Sequence, residues 1–242
     1  MQLKHLLANF VSALVLTACT VSASTLAHAD TIAWASWTTA TVGSPGSASG
    51  TVGGLTVTYS GQTIGLTHPP TNGPSWTPHS SFTGGTVGNA PPNAPSVGLQ
   101  GGTTLTETVT FSSPVVDPVF AIWSLGAGGV PASFDFITKD SVVFEAGGPS
   151  AEFAGSAITV AGSDVNGMEG NGVVLIDTAG GAITSISFTT PSFENYYAFT
   201  VGFDQTLTPP TPGVPEPATL SLFGLGLAGL AFVRRSFSRL RS

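Results

Sequence analysis

Positive charge is almost missing from the body of this chain. Of its six Lys and Arg residues, Lys4 stands near the start and Arg234, Arg235, Arg239 and Arg241 stand at the end, so Lys139 is the one base between Asp30 and Gly213. Twelve of the thirteen Asp and Glu residues fall in that same stretch; one base and twelve acids leave a formal −11 there. Nucleic-acid binding depends on Lys and Arg neutralising phosphates, so nucleic acids, nucleotides and other phosphate partners are excluded. Cysteine is scarce as well. Cys19 is the single one, and no intramolecular disulfide can form. A body of about 175 residues buries enough surface to fold without one. Histidine is thin too: beyond His5 and His28 near the N-terminus there are only His68 and His79. Two histidines and no body cysteine argue against zinc. A Ser or Thr nucleophile would lack a base, and there is no Gly-x-Ser-x-Gly turn to present one.

Helical periodicity is nearly absent from the body, and period-two alternation takes its place. In Thr104-Leu105-Thr106-Glu107-Thr108-Val109-Thr110-Phe111 the threonines share one side, and Leu105, Val109 and Phe111 share the other. Glu107 interrupts the apolar side, which predicts a strand that is not central along its whole length. Tyr197, Phe199, Val201 and Phe203 alternate more cleanly. The runs at 119–123 and 173–176 are continuously apolar, as expected of strands covered on both faces. Strands are predicted at 31–37, 55–59, 104–111, 119–125, 133–138, 142–145, 157–160, 173–177, 183–189 and 196–204. About ten short strands separated by Gly, Pro, Asn and Asp predict an all-β fold, a single jelly-roll-like β-sandwich.

Residues 67–95 break the pattern with His68-Pro69-Pro70, Asn72-Gly73-Pro74, Trp76-Thr77-Pro78-His79 and Asn89-Ala90-Pro91-Pro92. A segment of that length is either a binding feature or a covering loop. For carbohydrate, exposed aromatic faces are required. Trp34 and Trp37 have opposite parity, Trp123 lies in an apolar run, and Tyr197 joins the core face. Trp76 and Tyr196 are left as the exposed candidates. Asp164, Asn166, Glu169 and Asn171 supply four oxygen side chains in a glycine-bearing loop, a weak calcium candidate without EF-hand spacing; Asx residues with glycine also make ordinary turns. Glycoside hydrolysis needs two facing carboxylates. Glu107, Glu145, Glu152, Glu169 and Glu194 are available, but no spacing pairs any two of them. No cofactor is implied.

The N-terminus has the layout of a secretory signal, with Lys4 and His5 ahead of an apolar run from residue 6 to 18. Its end is open to three readings. Cleavage after Ala29 uses the Ala27-His28-Ala29 site, cleavage after Ala23 lies closer to the apolar run, and Leu16-Thr17-Ala18-Cys19 resembles a lipoprotein box with Cys19 as the acylated residue.

At the other end, a proline-rich spacer at 208–213 leads to Pro215-Glu216-Pro217, an apolar stretch of 16 residues at 218–233, and the four arginines. As a helix that stretch spans about 24 Å, short of a hydrocarbon core of ~30 Å, with arginine stems able to snorkel. Charge on one side only predicts a cytoplasmic C-terminus, with Glu216 outside. The prolines keep Glu216 out of any helix and within reach of an enzyme at the membrane surface. In motif, order and position this tail resembles the PEP-CTERM sorting signal, by which certain Gram-negative bacteria hand exported proteins to an exosortase. The resemblance implies that Pro215, Glu216 and Pro217 are recognised, that Arg234, Arg235, Arg239 and Arg241 form the basic stop, and that an exosortase cuts near the motif. The body, through 108–122, 167–172 and 197–202, is similar to other β-sandwich bodies that precede such tails.

The expected organisation is a signal peptide at 1–29, a β-sandwich at 30–207, a spacer with the motif at 208–217, and a single transmembrane helix with its basic tail at 218–242. The expected protein is exported and non-enzymatic. It is held in the inner membrane before processing and then released to the cell surface or matrix, with exopolysaccharide as a candidate partner. The alternatives are an extracellular carbohydrate-binding module and a secreted hydrolase.

Overall fold

Small and β-branched residues with few helix formers leave the backbone one way to satisfy its hydrogen bonds, which is to pair strands. The computed structural model describes residues 29–69 and 71–207; the leader before them and the tail after them, including the sorting motif, the apolar stretch and the arginines, lie outside the described residues. Fourteen strands are present: β1 Ile32–Trp34, β2 Ser36–Thr41, β3 Gly43–Val52, β4 Leu55–Thr63, β5 Gly65–Thr67, β6 Ser96–Val115, β7 Val119–Leu125, β8 Ala132–Phe136, β9 Ser141–Gly147, β10 Ser156–Ala157, β11 Thr159–Ala161, β12 Asp164–Gly167, β13 Gly170–Asp177 and β14 Ile183–Asp204. All pairings are antiparallel except that of β10 with β13.

Every strand belongs to one hydrogen-bonded sheet, and the sheet folds over itself because β6 and β14 run through both layers. Their outer halves, around Thr103–Val115 and Ile183–Thr190, pair with each other and extend through β4, β3 and β2 on one side and through β8, β12 and β11 on the other. Their inner halves lie in the second layer, where β14 pairs with β7 and β1, β7 with β13, and β13 with β9. The crossing is made by irregular backbone. β14 shifts register three times between Phe188 and Tyr197, around Pro191, and β6 turns through Gly101 and Gly102 at φ 64 and 71. Strands that change sheets through bulges are the usual corner of a β-sandwich. A Cβ on Gly101 would collide with the Ser192 carbonyl oxygen, so no larger residue fits there.

The core between the layers is aromatic. Phe120 meets Phe136 edge-on at 5.1 Å, Tyr59 meets Phe199 at 5.4 Å, and Phe134 lies 5.1 Å from Phe188. Each such fully buried ring contributes ~2–3 kcal/mol of transfer free energy. Trp37 of β2 reaches across the core to donate its indole N–H to the Thr200 hydroxyl of β14 at 3.2 Å, tying the two layers together.

A second apolar cluster covers the outside of the β7–β13–β14 layer: Ile32, Val119, Ala121, Trp123, Val173 and Ala198 lie beneath Trp76, Phe82 and Val87. Residues 68–95 are therefore a cover. This explains why the apolar runs of β7 and β13 are buried on both faces, and it corrects the expectation of an exposed Trp76. That side chain is 0 % exposed and packs edge-on to Phe82 at 5.2 Å. The reason is area: an indole on a sheet that already presents Val119, Ala121 and Val173 gains more by burial than by facing water.

Strand β6 also departs from expectation. It lies between β14 and β4 and is central, and Glu107 is fully buried within it.

Candidate functional site

Three groups of chemistry-bearing residues stand out, and each is built by the fold from distant parts of the chain. The first is inside the core. Glu107 on β6 accepts the Thr190 hydroxyl of β14 at 2.5 Å on Oε1, and its Oε2 meets the Tyr59 hydroxyl of β4. Tyr59 Oη also donates to the Gln62 carbonyl at 2.6 Å. Burial pushes the Glu107 carboxyl above the ordinary carboxylate range, and the bonds from Thr190 and Tyr59 offset only part of that shift.

A second group gathers where β7 leaves the sandwich. The Ser124 hydroxyl donates to Glu169 Oε2 at 2.8 Å, and the Ser124 N–H donates to Asn171 Oδ1 at 2.8 Å. Gly126 N–H donates to Glu194 Oε2 at 2.7 Å. Burial, helped by the neighbouring charge of Glu169, pushes Glu194 up to about 7 against the bond from Gly126. Ser124 and Glu169 hold φ values of 56 and 53, uncommon for non-glycine residues. Two coupled carboxylates beside a serine suggest acid–base chemistry. However, Ser124 is 2 % and Glu194 7 % exposed. The Ser124 hydroxyl is held by Glu169, and the Glu194 carboxylate holds the Gly126 N–H of the turn.

The third group is an aromatic ledge on the outer face. Trp123 is buried, with Phe153 at 5.2 Å and Tyr196 at 5.6 Å. Its indole N–H donates to Glu152 Oε2 at 3.0 Å, and the Ser75 N–H donates to Glu152 Oε1 at 2.9 Å. Burial works against the Glu152 charge, but the Ser75 and Trp123 bonds prevail and hold its carboxyl below the usual range. Tyr196 is half-buried, with its hydroxyl donated to the Asn72 carbonyl, whereas Phe153 is 51 % exposed. Of the two aromatic candidates, then, Trp76 belongs to the cover and Tyr196 lies beside this ledge. Phe153 was missed because a lone Phe between Glu and Ala carries no periodic signal.

The four oxygen residues of the calcium candidate do not form a loop. Asp164 and Asn166 belong to strand β12, paired with β8 and β11. Asp164 is exposed beside Ser163, whereas Asn171 is buried and already bonded to Ser124 and to the Glu169 carbonyl. Among the described residues no group of three or more His, Cys, Asp or Glu side chains converges as a metal would need.

Two cavities open among the described residues. One of about 220 Å³ is an open trough between Pro131, Ser156, Thr159, Asn166 and Met168. The other, about 190 Å³, lies where the two ends of the body meet and is lined by Asp30, Ile32, Thr86, Asp117, Asp204 and Leu207 among others. No described helix is long and apolar enough to cross a membrane.

The model of the PEP-CTERM protein-sorting motif matches residues 213–235. That match covers the Pro-Glu-Pro segment, the apolar stretch and the first two arginines, and it supports export and sorting by an exosortase. No curated protein and no solved structure matches the chain.

Proposed function

We propose that the chain is an exported, non-enzymatic β-sandwich displayed at the cell surface or in the extracellular matrix after an exosortase processes its C-terminal tail. One observation carries this reading: the sorting motif at 213–235 begins six residues after Leu207, the last described residue of the folded body. A folded domain on a proline-rich spacer leaves the motif accessible without any unfolding. The burial of Ser124 and Glu194 supports the non-enzymatic part of this reading. Cell fractionation tests the assignment. In cells with an exosortase the protein should leave the inner membrane for the surface or matrix; without it, the intact chain should stay in the inner membrane. Surface delivery that is independent of the enzyme contradicts the reading.

The aromatic ledge favours a second reading, an extracellular carbohydrate-binding module for exopolysaccharide. An exposed Phe153 beside Tyr196 and Trp123, with Glu152 at its base, offers one stacking face and polar groups close by. Retention on a panel of polysaccharides, lost in both Phe153→Ala and Tyr196→Ala, would establish it; no retention of the parent protein would dismiss it.

A further inference from the structure

Among the described residues the first backbone pairing is made by Asp30. Its N–H donates to the Thr86 carbonyl at 2.7 Å, its carbonyl accepts the Gly88 N–H at 2.8 Å, and it forms a parallel bridge with Val87. The next residues are anchored just as firmly. Asn89 receives the Ile32 N–H on Oδ1 at 2.7 Å and donates Nδ2 to the Ile32 carbonyl at 3.0 Å, while β1 pairs with β14 on its other side. Turn 84–88 is fixed from β9, where Glu145 Oε2 accepts both the N–H and the hydroxyl of Thr86. Ala29, by contrast, is exposed. Among the described residues, backbone pairing thus starts at Asp30, directly after the Ala-x-Ala triplet 27–29.

Position 30 also opens onto the 190 Å³ cavity, whose lining includes the carboxylates of Asp30, Asp117 and Asp204 and no Lys, Arg or His. Asp117 spends Oδ1 on Thr178, and Asp204 spends both oxygens on Thr206. These bonds hold the two carboxylates in place but leave their charge uncompensated. The body's one lysine, Lys139, is exposed and is not among the lining residues.

We propose that the leader is removed between Ala29 and Asp30, and that the α-ammonium so created is a structural group of the mature fold, bound to the Thr86 carbonyl at the mouth of the acidic cavity. In the step, water adds across the Ala29–Asp30 peptide bond. Ala29 leaves with a carboxylate on the released leader, and the Asp30 nitrogen takes up protons to become an ammonium. The Thr86 bond needs one of its hydrogens; the remaining two carry the positive charge at a residue that lines the cavity. Cleavage after Ala23 or acylation at Cys19 would leave a neutral amide at position 30 and the cavity without its cation.

Two readouts on the secreted, naturally processed protein test this. Mass spectrometry of the mature N-terminus should give Asp30; a start at Ser24 or at an acylated Cys19 overturns the proposal. The processed body then holds two amines, the α-amine and Lys139, which serves as an internal reference. An ordinary α-amine, with a pKa of about 8, acylates well ahead of a lysine at neutral pH. In the folded protein the Asp30 amine should react at least about tenfold more slowly than in denaturant, measured against Lys139, because a bound ammonium keeps its proton. Equal relative rates in the two states would show a free terminus and reject the structural role even if cleavage occurs where stated. Neither readout involves the C-terminal motif, so failure here leaves the sorting assignment standing.

Discussion

Tyr59 has one hydroxyl proton and two oxygen neighbours, the Gln62 carbonyl and Glu107 Oε2. That hydroxyl is the donor to both, with its one proton shared between two acceptors. Burial raises the Glu107 carboxyl and so favours its protonated form. Its Oε1 accepts the Thr190 hydroxyl and its Oε2 meets the Tyr59 hydroxyl. The consequence for pH has a definite sign. A carboxyl that keeps its proton in the fold but loses it when unfolded contributes stability that is complete below the unfolded value of about 4.3 and is lost as pH rises through the folded value. Glu107→Gln mimics the neutral acid, its amide nitrogen donating to Tyr59 and its oxygen accepting from Thr190. Denaturant titrations at several pH values should show parent and variant diverging upward of about pH 4.3, with the variant the more stable at neutral pH. Glu107→Ala should instead cost ~2–4 kcal/mol at every pH, since it leaves a cavity and unmatched hydroxyls. A glutamine variant with the same pH profile as the parent would show that Glu107 is ionised in the fold. The calcium candidate is tested at this scale too: with Asn171 already bonded and Asp164 on a paired strand, EDTA should leave the melting temperature unchanged. A specific site at hundredfold saturation is worth about 2.7 kcal/mol, or roughly 5–10 °C in a domain of this size, and a drop that large would reveal one.

The element with the most unusual role is the cover at 68–95. Trp76 has φ 56, which is costly for a bulky residue, and is nevertheless completely buried against Phe82 and the β7–β13 face. Its truncation to Ala should lower stability by ~3–5 kcal/mol, about 10 °C or more in melting temperature, with polysaccharide retention unaltered. A variant that melts like the parent but loses retention would restore the segment as a binding loop. How much of this was legible depends on the kind of signal. Alternation in Tyr197, Phe199, Val201 and Phe203 and the apolar runs of β7 and β13 read directly as strands, and the all-β sandwich followed from them. Strand β3, Gly-Ser-Pro-Gly-Ser-Ala-Ser-Gly-Thr-Val, carried no hydrophobic period because its small residues let neighbouring backbone approach; a Cβ on Gly50 would collide with the Ser36 carbonyl oxygen. Likewise β14 read as two strands, since Pro191 and the register shifts at the corner interrupt an element that the fold keeps continuous. Glu107 and the Ser124–Glu169–Glu194 group could not be read at all. Their partners stand 45 to 83 residues away in sequence, and no local pattern encodes such pairing.

At the scale of the whole molecule, the two ends of the body leave from the same place: Ile32 pairs with Asp204, and Asp30 and Leu207 line one cavity. The described body therefore begins and ends at one corner of the sandwich. Such an arrangement lets a membrane-held precursor present its folded body outward before release. The most direct test of the account is the mass of the mature protein's C-terminus in cells that contain an exosortase. Processing at the motif predicts a chain that ends near residues 214–217 and lacks the apolar stretch and all four arginines. A mature protein in those cells that still ends at Ser242 would contradict it.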